Sequence, residues 1–413
     1  MRSIQPRHGM STLVNHVAEG GDPLLSHVSP IYQTSTFYFP DVATGAALFK
    51  GEQPGYIYTR LSNPNTDQLA AKIAALEGLD LIRAQPERPP EQVAAGQVLA
   101  SGMAAITTAI LARVKGGQTI IAQGLLYSAT YNFLKEFATQ YGIQLVWLDD
   151  PRPESWQAAF EKAPQAVLAY AETPVNPSMA IVDLAAVAEI AHQHQAWLMV
   201  DNTFATPYCQ RPLTLGADVV VHSTTKYLSG HGLIIGGAVV SRHVDFIHNA
   251  LHAALILLGG CASPFDAWLT NNGLKTFELR MERHCQNAMQ VANFLEKHPK
   301  VARVDYPGLD SHPDAALARR QMAAFGGMMS FELKGGFSAG VALMEHVQVC
   351  VLAVSLGNLD TLICHPASMT HVTVSAETRR AMGISDGQVR LSVGIENIED
   401  LLEDFEQGLS YCK

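Results

Sequence analysis

Several features that would define a class of protein are missing from this sequence. Its six cysteines form no CxxC pair, so neither a disulfide framework nor a zinc site is indicated. Charged residues make up only 16%, the net charge is −10 and no basic run occurs, which excludes a nucleic-acid surface. No apolar run is long enough to cross a membrane, and the first residues lack a signal-peptide core. We therefore expect a cytoplasmic protein with reduced cysteines.

What is present is a chain of 413 residues with 48% hydrophobic content, which is enough for a large core and favours two domains. The first 60 residues are rich in Gly, Pro, Ser and aromatic residues without a sustained helical or strand period. Such a segment is expected to dock onto a second subunit. A helical pattern begins at about Thr66 and stops near Gly78. The Pro-rich stretch Arg83 to Gln97 is typical of an exposed loop.

Strand and helix signals then alternate. Short continuous apolar strands separated by helices predict an α/β fold, with a mainly parallel sheet covered on both faces and active groups at the carboxyl ends of its strands. A second region from about Ser263 predicts a smaller α/β domain. The expected division is an arm over 1–65, a large domain over 66–262 and a smaller domain over 263–413. The strand segments are QTIIAQG, IQLVWLDD, AVLAYAET, AWLMVDNTF and ADVVVHSTT, followed in the second region by VARVDYPG and GGMMSFELKGG.

Two residues at the ends of neighbouring strands carry the first chemical signal. The strand in AWLMVDNTF ends at Asp201, where a buried carboxylate is costly unless something positive meets it. The next strand leads into HSTTKYLSGHG, which contains Lys226. A lysine kept unprotonated by burial and a positive neighbour can form an imine with an aldehyde. Pyridoxal phosphate (PLP) chemistry requires such a lysine, and a carboxylate that keeps the pyridine nitrogen protonated.

A phosphate site is also indicated. The turn SGM (Ser101, Gly102, Met103) opens the helix in AAITTAI, and a helix N-terminus with neighbouring hydroxyls suits a phosphate. Each signal taken alone has an ordinary structural explanation. Asp201 would more often be a turn or cap residue, a lysine after threonine is usually solvated, SGM is an ordinary N-cap, and Tyr127 would pack. Only the combination favours a PLP site.

The histidines do not indicate a metal site. His222, His231 and His371 stand in neither HxH nor HExxH spacing, so structural roles are expected for them. No GxGxxG follows a predicted strand, which disfavours a nicotinamide-binding dehydrogenase.

Five motifs resemble, in order, signatures of the Cys/Met-metabolism PLP family, and the resemblance covers nearly the whole chain. Within that family, the sequence is most similar to methionine γ-lyases in GEQPGYIYTRLSNPN, VSLGNLDTLICHPASMTH and GISDGQVRLSVGIENIEDLL. The resemblance implies the PLP-dependent transferase fold of type I, with a seven-stranded mainly parallel sheet and a smaller C-terminal α/β domain. The five motifs are YTRLSNPN, ASGMAAI, VDNTFATPYCQRPLTLGADVVVHS, HSTTKYLSGHG and HPASMTH.

The resemblance also implies a role for each matching position. Lys226 would hold the cofactor and shuttle protons, Asp201 would pair with the ring nitrogen, and Tyr127 would stack on the ring, contact the substrate and protonate the departing sulfur. Tyr58 and Arg60 would reach the phosphate from a neighbouring subunit, which makes a dimer the minimal unit and implies a homotetramer arranged as a dimer of dimers. The remaining implied positions are Ser101, Gly102, Met103, Ser223 and Thr225 at the phosphate, Asn176 near the ring hydroxyl, and Arg390 with Ser355 at the substrate carboxylate.

The chain departs from the methionine γ-lyase pattern at several positions. Ala129 stands where a cysteine is typical, and Leu255 and Ile256 replace a Lys-Asp pair. HGD becomes HGL at Leu233, and a position often held by Glu in cystathionine-handling members is Val354. The changes at Ala129, Leu233, Leu255 and Ile256 remove polar groups from near the expected substrate site and argue against strict specificity for methionine, whereas Val354 disfavours cystathionine as the preferred substrate. The segment from Arg83 to Gln97 resembles an insertion.

The leading hypothesis is thus a PLP-dependent carbon–sulfur lyase that performs α,γ-elimination on a small sulfur-containing amino acid and releases a thiol, ammonia and 2-oxobutanoate. The alternatives are a γ-replacement transferase similar to cystathionine γ-synthase or O-acetylhomoserine sulfhydrylase, or a cystathionine lyase. A PLP-binding protein without catalysis is disfavoured because the implied cofactor and substrate residues are intact.

Overall fold

The computed structural model describes residues 8–369, 372, 377 and 384–413. His371, for which a structural role is expected, lies outside these residues, as do parts of the HPASMTH and GISDGQVRLSVG motifs. The strands are β1 Ala95–Leu99, β2 Thr119–Gln123, β3 Gln144–Leu148, β4 Ala166–Glu172, β5 Trp197–Asp201, β6 Val219–Ser223, β7 Gly237–Ser241, β8 Val301–Asp305, β9 Met328–Leu333, β10 Val351–Leu352, β11 Leu362–Cys364 and β12 Gln388–Ser392.

The α-helices surround these strands, and short 3₁₀ or π-helical turns at Pro90–Gln92, Phe133–Ala138, Pro212–Leu215 and Phe246–Leu251 complete the described elements. The α-helices are α1 Met10–His16, α2 Val42–Lys50, α3 Pro64–Glu77, α4 Leu79–Ala84, α5 Gly102–Arg113, α6 Ser128–Asn132, α7 Pro153–Lys162, α8 Leu184–Gln193, α9 Thr206–Cys209, α10 His252–Leu258, α11 Pro264–Leu274, α12 Phe277–Lys297, α13 Ala315–Gln321, α14 Gly336–His346 and α15 Ile398–Ser410.

The large sheet has seven strands within the described ranges, in the order β1-β7-β6-β5-β4-β2-β3. The neighbours from β6 through β5, β4 and β2 to β3 are parallel, whereas β7 is antiparallel to both β6 and β1. Successive residues of β2 point to opposite faces of the sheet, as the period of two in a strand requires. Ile120 packs in a core with α5, and Ile121 packs in another core with α7 and α8. The prediction of a mainly parallel sheet with helices on both faces is confirmed.

The second sheet is smaller and lies later in the chain, in the order β10-β11-β12-β9-β8. Its pairs are antiparallel except β10 with β11. The long helix α12 and the closing helix α15 pack on it through apolar stripes that include Leu295 and Phe405. A smaller C-terminal α/β unit is therefore confirmed, while the boundaries at residues 65 and 262 stay predictions.

Two local expectations need correction. The first 60 residues, for which no sustained period is expected, contain the short helices α1 and α2. The Asp41 side chain caps α2 by accepting a hydrogen bond from the Thr44 N–H. The stretch from Arg83 to Gln97 is an exposed loop only in its middle. Arg83 lies in α4, Val93 is already buried, and the stretch ends in β1, which pairs with β7 at the edge of the large sheet.

The composition-based expectations can be compared with the structure in two respects. In the described part of the chain, no helix combines the length and apolar character needed to cross a bilayer. All six cysteines are free thiols, as expected, including Cys209 and Cys285, whose Sγ atoms lie 3.8 Å apart.

Candidate active site

Several of the predicted site residues lie at the carboxyl edge of the large sheet. Asp201 ends β5 and Ser223 ends β6, the parallel strand beside it. The loop after β5 reaches β6 through the Thr203 hydroxyl, which accepts a hydrogen bond of 2.9 Å from the Ser223 N–H. The Lys226 N–H in turn donates to the Ser223 carbonyl at 3.2 Å. Lys226 therefore lies one turn beyond the end of β6, at the edge where the switch-point rule places ligands.

Lys226 meets residues from the smaller unit on its other side. Its Nζ donates to Ser355 Oγ at 2.7 Å, and Arg390 Nη2 donates to the Ser355 carbonyl at 2.7 Å. Ser355 has a φ of 98°, an unusual conformation for a residue with a side chain, and such strain is concentrated at functional sites. The structure thus brings together Lys226, Ser355 and Arg390, which are far apart in sequence.

Burial, and then the positive Arg390 nearby, lower the pKa of the Lys226 amine to about 8. This pKa lies well below the ordinary value for lysine, near 10.4. About a tenth of the amine is consequently in the neutral form at pH 7, roughly 200-fold more than for a lysine of ordinary pKa, and the neutral form is the one that acts as a nucleophile or a base.

For the predicted attachment of pyridoxal phosphate at Lys226, this lowered pKa sets the expected pH dependence of the attachment rate. The ammonium form cannot attack the aldehyde, so the attachment rate should rise about tenfold per pH unit at low pH and level off above about 8. Stopped-flow visible absorbance measures this rate. Arg390→Gln removes the positive neighbour and should move the inflection upward. A rate that still rises tenfold between pH 9 and 10 in the unaltered protein contradicts the assignment.

Asp201 is 8% exposed, and burial raises the pKa of its carboxyl group. Its Oδ1 accepts a hydrogen bond of 3.0 Å from the Thr203 N–H, which partly offsets the cost of burial. The predicted position at the end of an apolar strand is confirmed.

A second buried carboxylate, Glu172, is not among the predicted site residues. It ends β4 and stands in register with Asp201 on β5, and it is only 5% exposed. Burial, and then the neighbouring Asp201, raise the pKa of Glu172, whereas the hydrogen bonds from the backbone N–H groups of Tyr127 and Asn176 lower it. A signal for it exists in the sequence, because AVLAYAET ends an apolar strand with an acidic residue in the same way as AWLMVDNTF does.

Glu172 holds the two segments that carry Tyr127 and Asn176. Its Oε2 accepts from the Tyr127 N–H at 2.8 Å, and its Oε1 accepts from the Asn176 N–H at 3.2 Å. The Tyr127 side chain is 47% exposed rather than packed, so it is available to a ligand. The packing role that is the ordinary explanation for Tyr127 is therefore not observed.

The N-terminus of α5 lies against the end of β6. Ser101 is its N-cap, and its Oγ accepts from the Ala104 N–H at 3.0 Å. A Cβ added to Gly102 would lie 2.8 Å from the Ser223 Cβ, so only glycine allows this close approach. The predicted phosphate residues Ser101, Gly102, Met103 and Ser223 are thus neighbours. The Thr225 hydroxyl is engaged elsewhere, since it accepts from the Gly236 N–H at 3.0 Å.

Tyr58 and Arg60 make contacts with each other and with α10 of their own chain. Arg60 donates to the Ile256 carbonyl at 2.8 Å, and its guanidinium stands 5.7 Å from the centre of the Tyr58 ring. Tyr58 is 42% exposed. Over the residues that the structure describes, none of the hydrogen bonds of these two side chains reaches Lys226.

The positions that depart from the methionine γ-lyase pattern do not share one environment. Leu233 and Val354 have mostly exposed side chains, and Val354 immediately precedes Ser355. Leu255 is only 2% exposed because it packs in the core beside α5, so its side chain is not accessible to a substrate in this chain. Ala129 and Ile256 are both partly buried.

The histidines have structural partners. His222 Nε2 lies 2.6 Å from Glu77 Oε1, a carboxylate that also accepts from Asn202, and His231 Nδ1 lies 2.6 Å from the Ser229 carbonyl. Residues 8–369, 372, 377 and 384–413 contain no group of three His, Cys, Asp or Glu side chains able to hold a metal ion.

The groups at this edge match the chemistry of pyridoxal phosphate. The cofactor needs a neutral lysine for its aldehyde, a buried acid for its ring nitrogen and a helix N-terminus for its phosphate. Lys226, Asp201 and the start of α5 supply these three groups in one region.

Comparisons with known proteins agree with this chemistry. Residues 11–410 match the family described as Cys/Met metabolism PLP-dependent enzyme. The L-methionine gamma-lyase of Porphyromonas gingivalis is 47% identical over 405 residues, which cover 98% of this chain and 97% of that protein. The cystathionine gamma-lyase of Bacillus subtilis is 40% identical over 96% of this chain and 98% of that protein. A crystal structure of cystathionine gamma synthase from Xanthomonas oryzae pv. oryzae, in complex with aminoacrylate and cysteine, has a TM-score of 0.89 at 39% identity and covers 98% of both chains.

Proposed function

The chain belongs to the Cys/Met metabolism PLP-dependent enzymes and uses pyridoxal 5′-phosphate, and from that premise we propose that it is a lyase catalysing α,γ-elimination on a sulfur amino acid. The family supports an enzyme of the carbon–sulfur lyase or transferase kind. The observation that carries the proposal is the convergence of Lys226, Ser355 and Arg390 at the edge that also holds Asp201. The expected products are a thiol, ammonia and 2-oxobutanoate.

When bound, the cofactor supplies an electron-accepting ring joined to the amino group of the substrate. Lys226 would hold the cofactor and, once the substrate displaces it, would take the proton from the α-carbon as a neutral amine. The carboxylate of Asp201 would keep the ring nitrogen protonated. Both roles follow from the lowered pKa of the lysine and the buried position of the acid.

The substrate would be oriented by its α-carboxylate. One nitrogen of the Arg390 fork donates to the Ser355 carbonyl, which helps to hold in place the guanidinium that would bind this carboxylate. Tyr127 would stack on the ring with its exposed phenol, and that hydroxyl would protonate the departing sulfur. Asn176, held by Glu172, would face the ring hydroxyl.

The phosphate would be bound by the backbone N–H groups of Gly102 and Met103 at the start of α5, with the hydroxyls of Ser101, Ser223 and Thr225 nearby. Thr225 would have to exchange its bond to Gly236 for this role.

We also infer that the active unit is at least a dimer, within a tetramer arranged as a dimer of dimers. Within their own chain, Arg60 donates to the Ile256 carbonyl and Tyr58 pairs with Thr36, which is consistent with a role at the phosphate of a neighbouring subunit. The cytoplasmic location stays a prediction.

A specific observation bears on the alternative functions. The exposed residue beside Ser355 is the uncharged Val354, and the exposed side chain at 233 is also apolar. These residues favour an apolar thioether over cystathionine, whose distal end carries an amino group and a carboxylate. The γ-replacement alternative is kept because of the similarity to the Xanthomonas cystathionine gamma synthase.

An assay of three substrates tests the proposal. L-Methionine should yield 2-oxobutanoate with a kcat/KM at least about tenfold above that of L-cystathionine. The methyl group of methionine gains an apolar contact at this site, whereas the charged distal end of cystathionine finds no ion-pair partner at Val354. Val354→Glu should reduce this preference, since it adds an anion for the distal ammonium of cystathionine. If O-acetylhomoserine with added thiol gives a thioether faster than methionine gives 2-oxobutanoate, the γ-replacement function is correct instead.

A further inference from the structure

We propose that Glu172 is a positioning residue for the cofactor, which fixes Tyr127 and Asn176 at the ring through their backbone N–H groups. The inference rests on the proposed placement of the cofactor between Asp201 and Lys226. It concerns a residue that touches neither the reacting atoms nor the phosphate.

The Glu172 carboxylate connects segments that follow two different strands. Its Oε2 receives the Tyr127 N–H at 2.8 Å from the loop after β2, and its Oε1 receives the Asn176 N–H at 3.2 Å from the loop after β4. Each carboxylate oxygen therefore holds the backbone of one of the two residues whose side chains are expected at the ring. Because both partners are N–H donors, the side chain needs an acceptor at each of its two positions.

The backbone of Glu172, like its side chain, makes two hydrogen bonds that hold it in place. Its N–H donates to Gln123 Oε1 at 3.2 Å, and its carbonyl accepts from Gln123 Nε2 at 3.1 Å. The same Gln123 nitrogen donates to the Leu125 carbonyl at 2.7 Å, two residues before Tyr127. This amide pair ties the end of β2 to the end of β4, so a change at the Glu172 carboxylate is not absorbed by a shift of the strand.

This carboxylate has an unfavourable environment. Glu172 and Asp201 stand side by side on β4 and β5, both nearly fully buried, and burial together with Asp201 raises the Glu172 pKa. Two adjacent buried acids destabilise the fold by desolvation and by mutual repulsion. A protonated ring nitrogen at Asp201 would offset part of this cost. Such groups are concentrated at functional sites.

Glu172→Gln is the informative variant because it is nearly isosteric and keeps only one of the two acceptors. Its amide nitrogen must then face either the Tyr127 N–H or the Asn176 N–H. Losing one buried hydrogen bond should raise the Kd for pyridoxal phosphate by about tenfold. The visible circular dichroism of the bound cofactor should weaken, since the ring is held less rigidly. A fall in kcat should accompany this, with little change in KM, because Arg390 and Ser355 are untouched.

Asp218→Asn provides a matched control. Asp218 is a buried acid just before β6, at the opposite edge of the same sheet, and it accepts the Leu198 N–H at 2.8 Å. This variant should lower the melting temperature but leave the Kd for pyridoxal phosphate and the visible circular dichroism at wild-type values. A purely structural role for Glu172 would give the same pattern in Glu172→Gln, and that result would overturn the proposal.

Glu172→Asp keeps the charge but shortens the side chain by one methylene, so it covers the case in which Glu172→Gln does not fold. The shorter carboxylate cannot reach both N–H groups, and the same weakened dichroism and raised Kd are expected. Wild-type values for Glu172→Asp would overturn the proposal. Attachment of the cofactor at a lysine other than Lys226 would instead contradict the proposed function, so the two failures are distinguishable.

Discussion

Lys226→Ala is expected to lower kcat by at least about 1,000-fold, because it removes both the covalent hold on the cofactor and the base that takes the α-proton. Lys226 is the side chain whose amine meets Ser355 and whose pKa is lowered by burial and by Arg390. Steady-state release of 2-oxobutanoate from L-methionine measures the effect. The purified variant should also lose the visible absorbance of the attached cofactor.

Lys300→Ala is a suitable control for this variant. The Lys300 amine donates to the carbonyls of Leu409 and Ser410 at the end of α15, where a positive charge complements the helix C-terminus. Its loss should cost some stability but leave turnover unchanged. Activity of Lys226→Ala near the wild-type level would refute the assignment of the lysine.

Asp201→Asn is expected to lower kcat by about 1,000-fold as well, because a neutral amide no longer keeps the ring nitrogen protonated. The asparagine oxygen can still accept the Thr203 N–H, so the local geometry should survive. A cofactor analogue with a methylated, permanently positive ring nitrogen should restore much of the lost rate. Failure of this analogue to rescue the variant would contradict the role given to Asp201.

The same variant should separate activity from stability. The pKa of Asp201 is raised in the folded protein, so ionisation at neutral pH destabilises the apo form relative to the unfolded chain. This destabilisation is absent below the ordinary pKa of aspartate, grows as the pH rises towards the raised pKa of the folded state, and is constant above it. At neutral pH the apo form of Asp201→Asn should therefore melt no lower than the unaltered apoprotein. A clear drop in its melting temperature would show that the carboxylate is structural.

Some of the site is predictable because parallel strands end at one edge. The strands AWLMVD and VVVHS both end at that edge, so their last residues and the loops that follow have to meet there. This rule places Asp201, Ser223 and Lys226 at the edge from the strand pattern alone. Glu172 escapes prediction although it follows the same rule, since a glutamate before Thr-Pro resembles an ordinary loop entry. Its partners are backbone N–H groups, which carry no signature in a sequence.

Other features depend on contacts that a local pattern does not contain. The edge strand β1 resembles part of a polar loop in sequence, because its residues show no alternation and are buried only by pairing with β7 and packing on α3. The contact between Lys226 and Ser355 spans 129 positions and is set by the packing of the smaller unit on the large one. The helices α1 and α2 are short, and short helices depend more on packing than on propensity.

Locating the covalent attachment tests the central claim most directly. The reconstituted protein can be reduced with borohydride, digested, and analysed by tandem mass spectrometry for peptides that carry the added cofactor mass. We predict that mass on Lys226 alone. Stable modification of a different lysine, such as Lys72 or Lys275, or no modification of a protein that still turns over L-methionine, would contradict the account.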